Sequence, residues 1–287
     1  MLDVRINAST LRFAVFGKSL PHTWSPQIHN SLFQAAGLDA VYFPVTVPDE
    51  QIGSAADVFR SCFAGFNVTI PYKEKIIPLL DEIDDAARVC GAVNTVENRN
   101  GRLIGHITDG LGMLRAIEEG GIETRGVHAL ILGGGGAARV AAYEFLALGG
   151  RVTLAVRNAQ KGRRLAAELA DTQKDGMARI SVSGLDCIEG AYDILINCTP
   201  VGMYPEVDAS PVSQETVSKC AAVFDAVYNP RETRLMHMAR LAGIPCVEGL
   251  GMLFYQAVEA QKYWFGEEKI ATAQQQRIIY HQLLASM

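Results

Sequence analysis

The stretch VHALILGGGGAARVAAYEFLALGGRVTLAVRN, from Val127 to Asn158, decides the fold. An apolar run ends in a glycine cluster, an alanine-rich segment follows, and a second run of β-forming residues closes the stretch. This order predicts a strand, a turn, a helix and a second strand. Together they make one βαβ unit, the building block of a doubly wound parallel sheet.

The glycines of this stretch match the dinucleotide-binding pattern G-x-G-x-x-A. Gly133 would form the tight turn, Gly135 would let the backbone approach a pyrophosphate, and Ala138 would take the close-packing third position. A helix that begins near Ala137 would direct unpaired N–H groups and its positive dipole end toward the phosphates. Any α/β protein can carry a glycine-rich turn, but the strands on both sides favour a nucleotide site.

The second strand indicates which dinucleotide is bound. An NAD site usually has an acidic residue about 20 residues after the first glycine, whereas an NADP site has an arginine near the 2′-phosphate. No acidic residue lies between Phe145 and Ala167, while Arg157 ends the strand and Asn158 and Lys161 follow it. A guanidinium binds phosphate through a fork of donors. The stretch therefore predicts NADP, and the alternative is a basic, solvent-exposed helix face.

Composition indicates a globular protein that binds small molecules. The 287 residues are 49% hydrophobic and 20% charged, which suits one large or two ordinary domains. A net charge of −5 gives no basic field for nucleic acid or an anionic membrane, and the apolar runs are too short for a membrane span. The six cysteines lack disulfide-like or zinc-binding spacing, so we expect free thiols, no metal site and a cytoplasmic location.

Two segments of the first third carry candidate functional side chains. Ser25 would be the N-cap of a helix that opens with Pro26, and Thr23 adds a second hydroxyl suited to a ligand carboxylate, although capping alone explains Ser25. Lys73 follows the strand GFNVT at the predicted start of a helix, where the positive dipole end disfavours a lysine. Such a mismatch often marks a functional site, although a surface lysine is the commoner explanation.

A predicted hairpin carries two more candidates. Asn100 and Gly101 would supply the positive φ angles of its tight turn. Asn94 falls in its first strand, where a buried amide needs hydrogen-bond partners. Asp109 follows its second strand and precedes a helix, either as a cap or as a functional carboxylate.

Eight motifs, in the same order and over nearly the whole chain, resemble those of the shikimate dehydrogenase family: SLPHTWSPQIHN, GFNVTIPYK, GAVNT, GHITDG, GGGGAAR, NCTPVGM, VYNPRET and GLGMLFYQA. The resemblance implies an α/β fold with an N-terminal α/β substrate domain and a Rossmann-type doubly wound parallel sheet. C-terminal helices would return to the first domain. The expected bounds are 1–109 for the substrate-binding and catalytic domain, 110–248 for the NADP-binding domain and 249–287 for the C-terminal helices.

The resemblance also implies a reaction, the reversible NADPH-dependent reduction of 3-dehydroshikimate to shikimate in aromatic amino acid biosynthesis. Lys73 would be the acid/base and Asp109 its paired carboxylate. The residues implied to bind substrate are Thr23, Ser25, Asn67, Thr69, Asn94, Thr108, Tyr228 and Gln256. Those implied to bind NADP are Gly133, Gly135, Gly136, Ala137, Arg157, Asn158, Thr199, Met203 and Gly251.

General chemistry supports these roles, and some alternatives stay open. Hydride delivery to a ketone leaves an alkoxide that needs a proton, so a positioned donor such as Lys73 is required. Thr23 stands where the family usually has serine, and its extra methyl group changes the width of the carboxylate pocket. The choice between shikimate and quinate therefore stays open, and the alternative is a quinate/shikimate dehydrogenase of broader substrate or NAD use. A non-catalytic NADP-binding regulator is the alternative from another class, but it would not need Lys73 and Asp109. We expect a monomer or a homodimer.

Overall fold

The computed structural model describes residues 6–21, 23–172 and 175–286. These residues form two compact units, and each unit contains one six-stranded sheet. The first unit runs to Thr108 and resumes at Gln256, whereas the second is the continuous segment from Asp109 to Tyr255. This mixed α/β architecture, with parallel pairing in both sheets, confirms the fold class predicted from the sequence.

Strands and helices are interleaved along the whole chain. In chain order they are β1 Leu11–Gly17, α1 Ser25–Ala35, β2 Ala40–Thr46, α2 Ile52–Cys62, β3 Gly65–Val68, β4 Glu82–Ile83, α3 Asp85–Cys90, β5 Thr95–Arg99, β6 Arg102–His106, α4 Asp109–Glu119, β7 His128–Leu132, α5 Gly136–Ala147, β8 Arg151–Val156, α6 Ala159–Ala170, α7 Gly176–Arg179, β9 Ile180–Gly184, β10 Ile194–Asn197, α8 Gln214–Val217, β11 Val223–Asp225, α9 Arg234–Leu241, β12 Cys246–Glu248, α10 Leu250–Phe265 and α11 Ala273–Ser286. Within the described ranges, none of these helices combines the length and the apolar character needed to cross a bilayer.

The first unit has a mixed sheet with the strand order β2-β1-β3-β5-β6-β4. Strands β1, β2 and β3 pair in parallel, and β3, β5 and β6 pair antiparallel. The hairpin between β5 and β6 turns at Asn100 (φ 55°) and Gly101 (φ 91°), as predicted for a tight turn. The mixed pairing brings the ends of β3, β5 and β6 to neighbouring positions.

The end of the chain closes the core of the first unit. The Trp264 indole N–H donates to the Val96 carbonyl at 3.0 Å, and the indole lies against Phe13 with ring centroids 4.6 Å apart. A Cβ on Gly65 would lie 2.5 Å from the Trp264 indole nitrogen, so this position has room only for glycine. Helix α11 packs on α1. The C-terminal helices therefore return to the first unit, as the resemblance implied.

The second unit has an all-parallel sheet with the strand order β12-β11-β10-β7-β8-β9. The predicted βαβ unit is β7, α5 and β8. The four residues from Ala129 to Leu132 are fully buried, as expected for a strand covered on both faces. The strand order reverses between β7 and β10, and doubly wound sheets bind ligands beyond the carboxyl ends of the strands at such a point.

The helix predicted to begin at Lys73 is absent. The chain after Pro71 forms turns and a short 3-10 turn at Ile77–Leu79. Pro78 has no N–H for the hydrogen bond that a continuing α-helix would require. The helix-dipole argument for Lys73 was therefore wrong, and its importance has to be judged from its neighbours.

Two helix starts also differ from the prediction. Trp24, with φ −89° and ψ −7°, occupies the N-cap of α1, and no side chain caps that helix. Ser25 is the first helical residue, so the expectation that it caps α1 was wrong. Asp109 is the first residue of α4 and does not precede the helix as predicted. In both cases the helical turn begins earlier than the sequence indicated.

All six cysteines are free thiols, as predicted. Cys62 and Cys187 are exposed, whereas burial raises the pKa of Cys198 and Cys220 to about 12. Because the thiolate is the reactive form, we expect iodoacetamide at about pH 8 to label Cys62 and Cys187 and to spare Cys198 and Cys220, whose pKa values are raised. Peptide mass spectrometry with and without denaturant measures this difference. Full labelling of Cys198 in the native protein would contradict it.

Candidate active site

The carboxyl end of β7 forms a tight glycine turn. Gly133 has φ +114°, a conformation that residues with a Cβ rarely adopt, and its N–H donates to the Ala155 carbonyl of β8 at 2.9 Å. Gly135 is the N-cap of α5, and a Cβ there would meet no other atom within 4 Å. Ala138 is fully buried. The turn therefore leaves open space in front of α5 and puts a small residue at the closely packed position, as predicted.

The first turn of α5 faces that space. Gly136 and Ala137 begin the helix and are exposed. The first helical hydrogen bond runs from the Arg139 N–H to the Gly135 carbonyl at 3.0 Å. The N–H groups before Arg139 have no partner within the helix, as at every helix start, and together with the helix dipole they suit an anion.

A cavity of about 740 Å³ lies at the carboxyl ends of β7, β8 and β10. This volume is in the usual range for a small-molecule site. The predicted cofactor residues in its lining are Gly133, Gly135, Arg157, Asn158, Thr199 and Met203. Gly136 and Ala137 begin the adjoining helix, while Gly251 is buried in α10 and is not part of the lining.

The cavity wall that follows β8 is positively charged. Arg157 is exposed, and within the described ranges it forms no hydrogen bond or ion pair. Asn158 caps α6 by accepting the Lys161 N–H at 3.0 Å. Lys161 also lines the cavity; the sequence showed this basic residue near Arg157, but it was not assigned to the site. Arg164, in contrast, pairs with Glu168 at 3.0 Å, so the two arginines differ in what they can bind.

Thr199 lines the cavity next to the glycine turn. A Cβ on Gly133 would lie 3.3 Å from the Thr199 methyl carbon. Both the N–H and the hydroxyl of Thr199 donate to Asn197 Oδ1, at 3.0 and 2.7 Å. Met203 lies further along the same loop, with 46% of its surface exposed. The loop after β10 is therefore held at its start and open at the cavity rim.

Replacing Gly133 by alanine should lower the free energy of unfolding by about 1–2 kcal/mol, because a left-handed residue acquires a Cβ. That Cβ would also lie 3.4 Å from the Cys198 carbonyl oxygen. Gly136→Ala is the matched control: its Cβ meets nothing within 4 Å, and its φ is not positive. Urea denaturation of both variants, followed by circular dichroism, tests the difference. Equal midpoints would show that the turn does not need glycine.

Four of the predicted substrate-binding residues form one buried hydrogen-bonded cluster in the first unit. Asn94 Nδ2 donates to Thr108 Oγ1 at 3.0 Å and to Gln256 Oε1 at 3.3 Å, and the Thr108 N–H donates to Asn94 Oδ1 at 2.8 Å. Asn67 Nδ2 donates to the Asn94 carbonyl at 3.0 Å and to Thr95 Oγ1 at 2.9 Å. Each of these residues is at most 8% exposed. We call Asn67, Asn94, Thr108 and Gln256 the amide–hydroxyl cluster.

Tyr42 extends the amide–hydroxyl cluster toward α1. Its hydroxyl donates to Asn67 Oδ1 at 2.7 Å. Burial raises the pKa of Tyr42 well above its usual value, opposed by a hydrogen bond with Ser25, so the phenol is a neutral donor. Its ring stacks on His29 at 4.1 Å, and burial lowers the pKa of His29 to about 3, so the imidazole is neutral. Sequence reasoning missed Tyr42 and Thr95.

Thr23 and Ser25 lie at the start of α1. The Ser25 N–H donates to Thr23 Oγ1 at 3.4 Å, and both residues are partly exposed. Since Trp24 is the N-cap and no side chain caps the helix, the Ser25 hydroxyl is not used for capping. Capping therefore does not explain this serine.

Lys73 lies in a turn that is anchored at two points. Its carbonyl accepts the Val93 N–H at 2.8 Å. Val93 directly precedes Asn94 of the amide–hydroxyl cluster. The neighbouring Tyr72 is fully buried, and its hydroxyl donates to the Val47 carbonyl at 2.7 Å. The Tyr72 N–H also donates to the Thr69 carbonyl at 2.9 Å. These bonds hold the half-buried Lys73 in the first unit.

Two further candidates, Asp109 and Tyr228, belong to the second unit, whereas Thr69 follows β3 in the first. Asp109 is half-buried at the start of α4. The next residue, Gly110, packs closely on α5, because a Cβ there would lie 2.5 Å from Glu144 Oε1. Tyr228 follows β11 and is 38% exposed. Lys73 and Asp109 thus belong to different units, and their pairing stays a prediction.

Comparisons with known proteins give matches over both units. A family model described as the shikimate dehydrogenase substrate binding domain matches residues 15–96. A protein of Symbiobacterium thermophilum named shikimate dehydrogenase (NADP(+)) is 40% identical over 258 residues, or 88% of each chain. A shikimate dehydrogenase solved with NADP⁺ has a TM-score of 0.89 and 36% identity over 97% of each chain. A shikimate 5-dehydrogenase of Thermus thermophilus, solved with NADP(H) and shikimate, has a TM-score of 0.84 and 32% identity over 95% of this chain and 99% of that one.

Proposed function

This chain belongs to the shikimate dehydrogenase family, and we propose that Lys73 and Asp109 carry the proton transfer of its reaction. The membership confirms the family predicted from the sequence motifs. The reaction is the reversible, NADP-dependent oxidation of shikimate to 3-dehydroshikimate.

The observation that carries the residue assignment is the amide–hydroxyl cluster. Its members come from four separate segments of the chain, namely β3, the approach to β5, the end of β6 and α10. Hydroxyl groups that a polyol loses from water must be paired again, and amides and hydroxyls can both donate and accept. We propose that Asn67, Asn94, Thr108 and Gln256, with Thr69 and Tyr228, bind the ring hydroxyls of shikimate. Thr23 and Ser25 would bind its carboxylate.

The second unit fits NADP. The open space before α5 and the unpaired N–H groups of its first turn suit the pyrophosphate. Arg157 and Lys161 line the cavity, and neither side chain has an ion-pair partner among the described residues, so we propose that both bind the 2′-phosphate. Thr199, Met203 and Gly251 would flank the nicotinamide. Bound NADP(H) supplies or accepts the hydride.

Lys73 would be the acid/base of the reaction. When the ketone is reduced, the Lys73 ammonium donates a proton to the oxygen that becomes the hydroxyl; in the reverse direction, the amine takes that proton. Asp109 would orient the ammonium through charge and hydrogen bonding.

An assay that crosses two substrates with two cofactors tests this function. Shikimate or quinate is mixed with NADP or NAD, and the absorbance of the reduced nicotinamide is followed. We expect the highest kcat/KM for shikimate with NADP. The methyl group of Thr23, which narrows the carboxylate site, is the reason to include quinate; a higher value with quinate would establish the broader enzyme. NADP binding without turnover of either substrate would indicate a regulator.

We also propose a cytoplasmic enzyme that acts as a monomer or a homodimer. The free state of all six cysteines supports a reducing compartment. Light scattering of the purified protein would distinguish the two assembly states.

A further inference from the structure

Asp225 is a fully buried carboxylate at the carboxyl end of β11. Its Oδ1 accepts from Asn197 Nδ2 at 2.8 Å and from the Val227 N–H at 3.0 Å, and its Oδ2 accepts from Thr233 Oγ1 at 2.6 Å. Thr233 is the N-cap of α9 and itself accepts the Met236 N–H at 3.2 Å. Burial raises the pKa of Asp225, and these hydrogen bonds oppose the rise. Asn197, Val227 and Thr233 thus each direct a donor at the carboxylate.

Asp225 helps to fix which way the Asn197 amide points, together with the Val201 carbonyl, which accepts from the same Nδ2 at 3.5 Å. A carboxylate only accepts hydrogen bonds, so Asn197 turns its NH₂ group to Asp225 and its Oδ1 to the opposite side. On that side Oδ1 accepts both the N–H and the hydroxyl of Thr199. Asn197 is itself fully buried. The orientation of the Asn197 amide is therefore passed to Thr199, which lines the cavity beside Gly133.

The strand order places this chain of hydrogen bonds away from Arg157. Arg157 follows β8, the glycine turn follows β7, and Asn197 and Asp225 end β10 and β11. A dinucleotide in a doubly wound sheet crosses the point where the strand order reverses. If its 2′-phosphate lies at Arg157, its nicotinamide half lies on the side of β10 and β11.

We propose, on the basis of the function proposed above, that Asp225 is a positioning residue for the nicotinamide half of NADP. It acts through Asn197 and Thr199 and does not touch the dinucleotide. The carboxylate keeps the Asn197 amide in one orientation, and the amide keeps the Thr199 backbone and hydroxyl in place at the cavity wall.

The test uses Asp225→Asn and measures binding by titration calorimetry. An amide at this position has a single acceptor oxygen, so either Thr233 or the pair Asn197 and Val227 would face an NH₂ group. We expect the Kd for NADP to rise about tenfold, as for loss of a hydrogen bond to a charged group. The Kd for 2′,5′-ADP, which carries the 2′-phosphate but no nicotinamide, should stay within about twofold. Arg157→Ala should weaken both ligands.

Two further variants make the result interpretable. Asn197→Ala removes the link to Thr199 but leaves Asp225 its bonds from Val227 and Thr233, so it should reproduce the selective loss even if Asp225→Asn does not fold. Thr124→Val is the control, because Thr124 is fully buried and its hydroxyl donates to Glu118 Oε1 at 2.6 Å ahead of β7. Thr124→Val removes a comparable hydrogen bond at the amino end of the sheet, so the Kd values for NADP and for 2′,5′-ADP should both stay unchanged.

Failure of the positioning role and failure of the proposed reaction would give different results. Unchanged NADP affinity in folded Asn197→Ala, or equal weakening of NADP and 2′,5′-ADP, would overturn the positioning role. A parent protein that binds NADP without oxidising shikimate would contradict the proposed reaction. In that case the affinities alone would still decide the role of Asp225.

Discussion

The Lys73→Ala variant should oxidise shikimate at least about 10²-fold more slowly than the parent protein, the usual loss when a general acid/base is removed. Binding of NADP should change little, because Lys73 belongs to the first unit and the dinucleotide cavity lies within the second. Steady-state kcat and the calorimetric Kd for NADP measure the two effects separately. Asp109→Asn should lower kcat by a similar factor, since the amide no longer attracts the ammonium.

Lys75→Ala is the matched control for this experiment. Lys75 lies two residues further along the same turn, and its side chain is 53% exposed and paired with Asp49 at 2.8 Å. Lys75→Ala should keep kcat within about twofold of the parent value, because a surface ion pair contributes little to the stability of the fold. Equal losses in the two lysine variants would show that the turn matters and the Lys73 amine does not. An unchanged kcat in Lys73→Ala would refute the assignment outright.

Arg157→Ala should raise the Kd for NADP by about 10- to 100-fold, the range expected when one or two charge-assisted hydrogen bonds to the phosphate are lost. The Kd for NAD should change by no more than about threefold, because NAD has no 2′-phosphate. The ratio of the two Kd values is therefore the quantity to measure.

Arg164→Ala controls for the loss of a positive charge near the cavity. Arg164 forms an ion pair with Glu168, whereas Arg157 forms no hydrogen bond or ion pair within the described ranges. We expect the NADP to NAD ratio of Arg164→Ala to match that of the parent protein. If Arg157→Ala weakened NADP and NAD equally, the guanidinium would not be the group that distinguishes them.

The nucleotide unit was predictable because its signals are local. The Gly133 turn and the burial of Ala138 depend on residues close together in the chain, and an apolar run such as Ala129 to Leu132 marks a buried parallel strand. Strand β9 gave no such signal. Ser181 and Ser183 alternate with apolar residues in this edge strand, so no continuous apolar run forms.

The substrate side was predictable only through the motifs. Asn94 and Gln256 are hydrogen-bonded although 162 positions separate them, and no local pattern could bring them together. Tyr42 was missed for the same reason, because its hydroxyl finds Asn67 only after β1, β2 and β3 have aligned. The link from Asp225 to Thr199 likewise depends on the pairing of β10 and β11. Tertiary contacts of this kind lie beyond periodicity and capping rules.

The first unit is assembled from two distant chain segments, and this has a consequence for biosynthesis. As the nascent chain leaves the ribosome, the whole segment from Asp109 to Tyr255 emerges before Trp264 does. Until then Phe13 lacks its indole neighbour and the space beside Gly65 is unfilled. Domains generally fold as units during synthesis, and incomplete ones expose apolar surface. The nucleotide unit is therefore free to fold first, whereas the first unit cannot complete its core until α10 and its Trp264 have emerged.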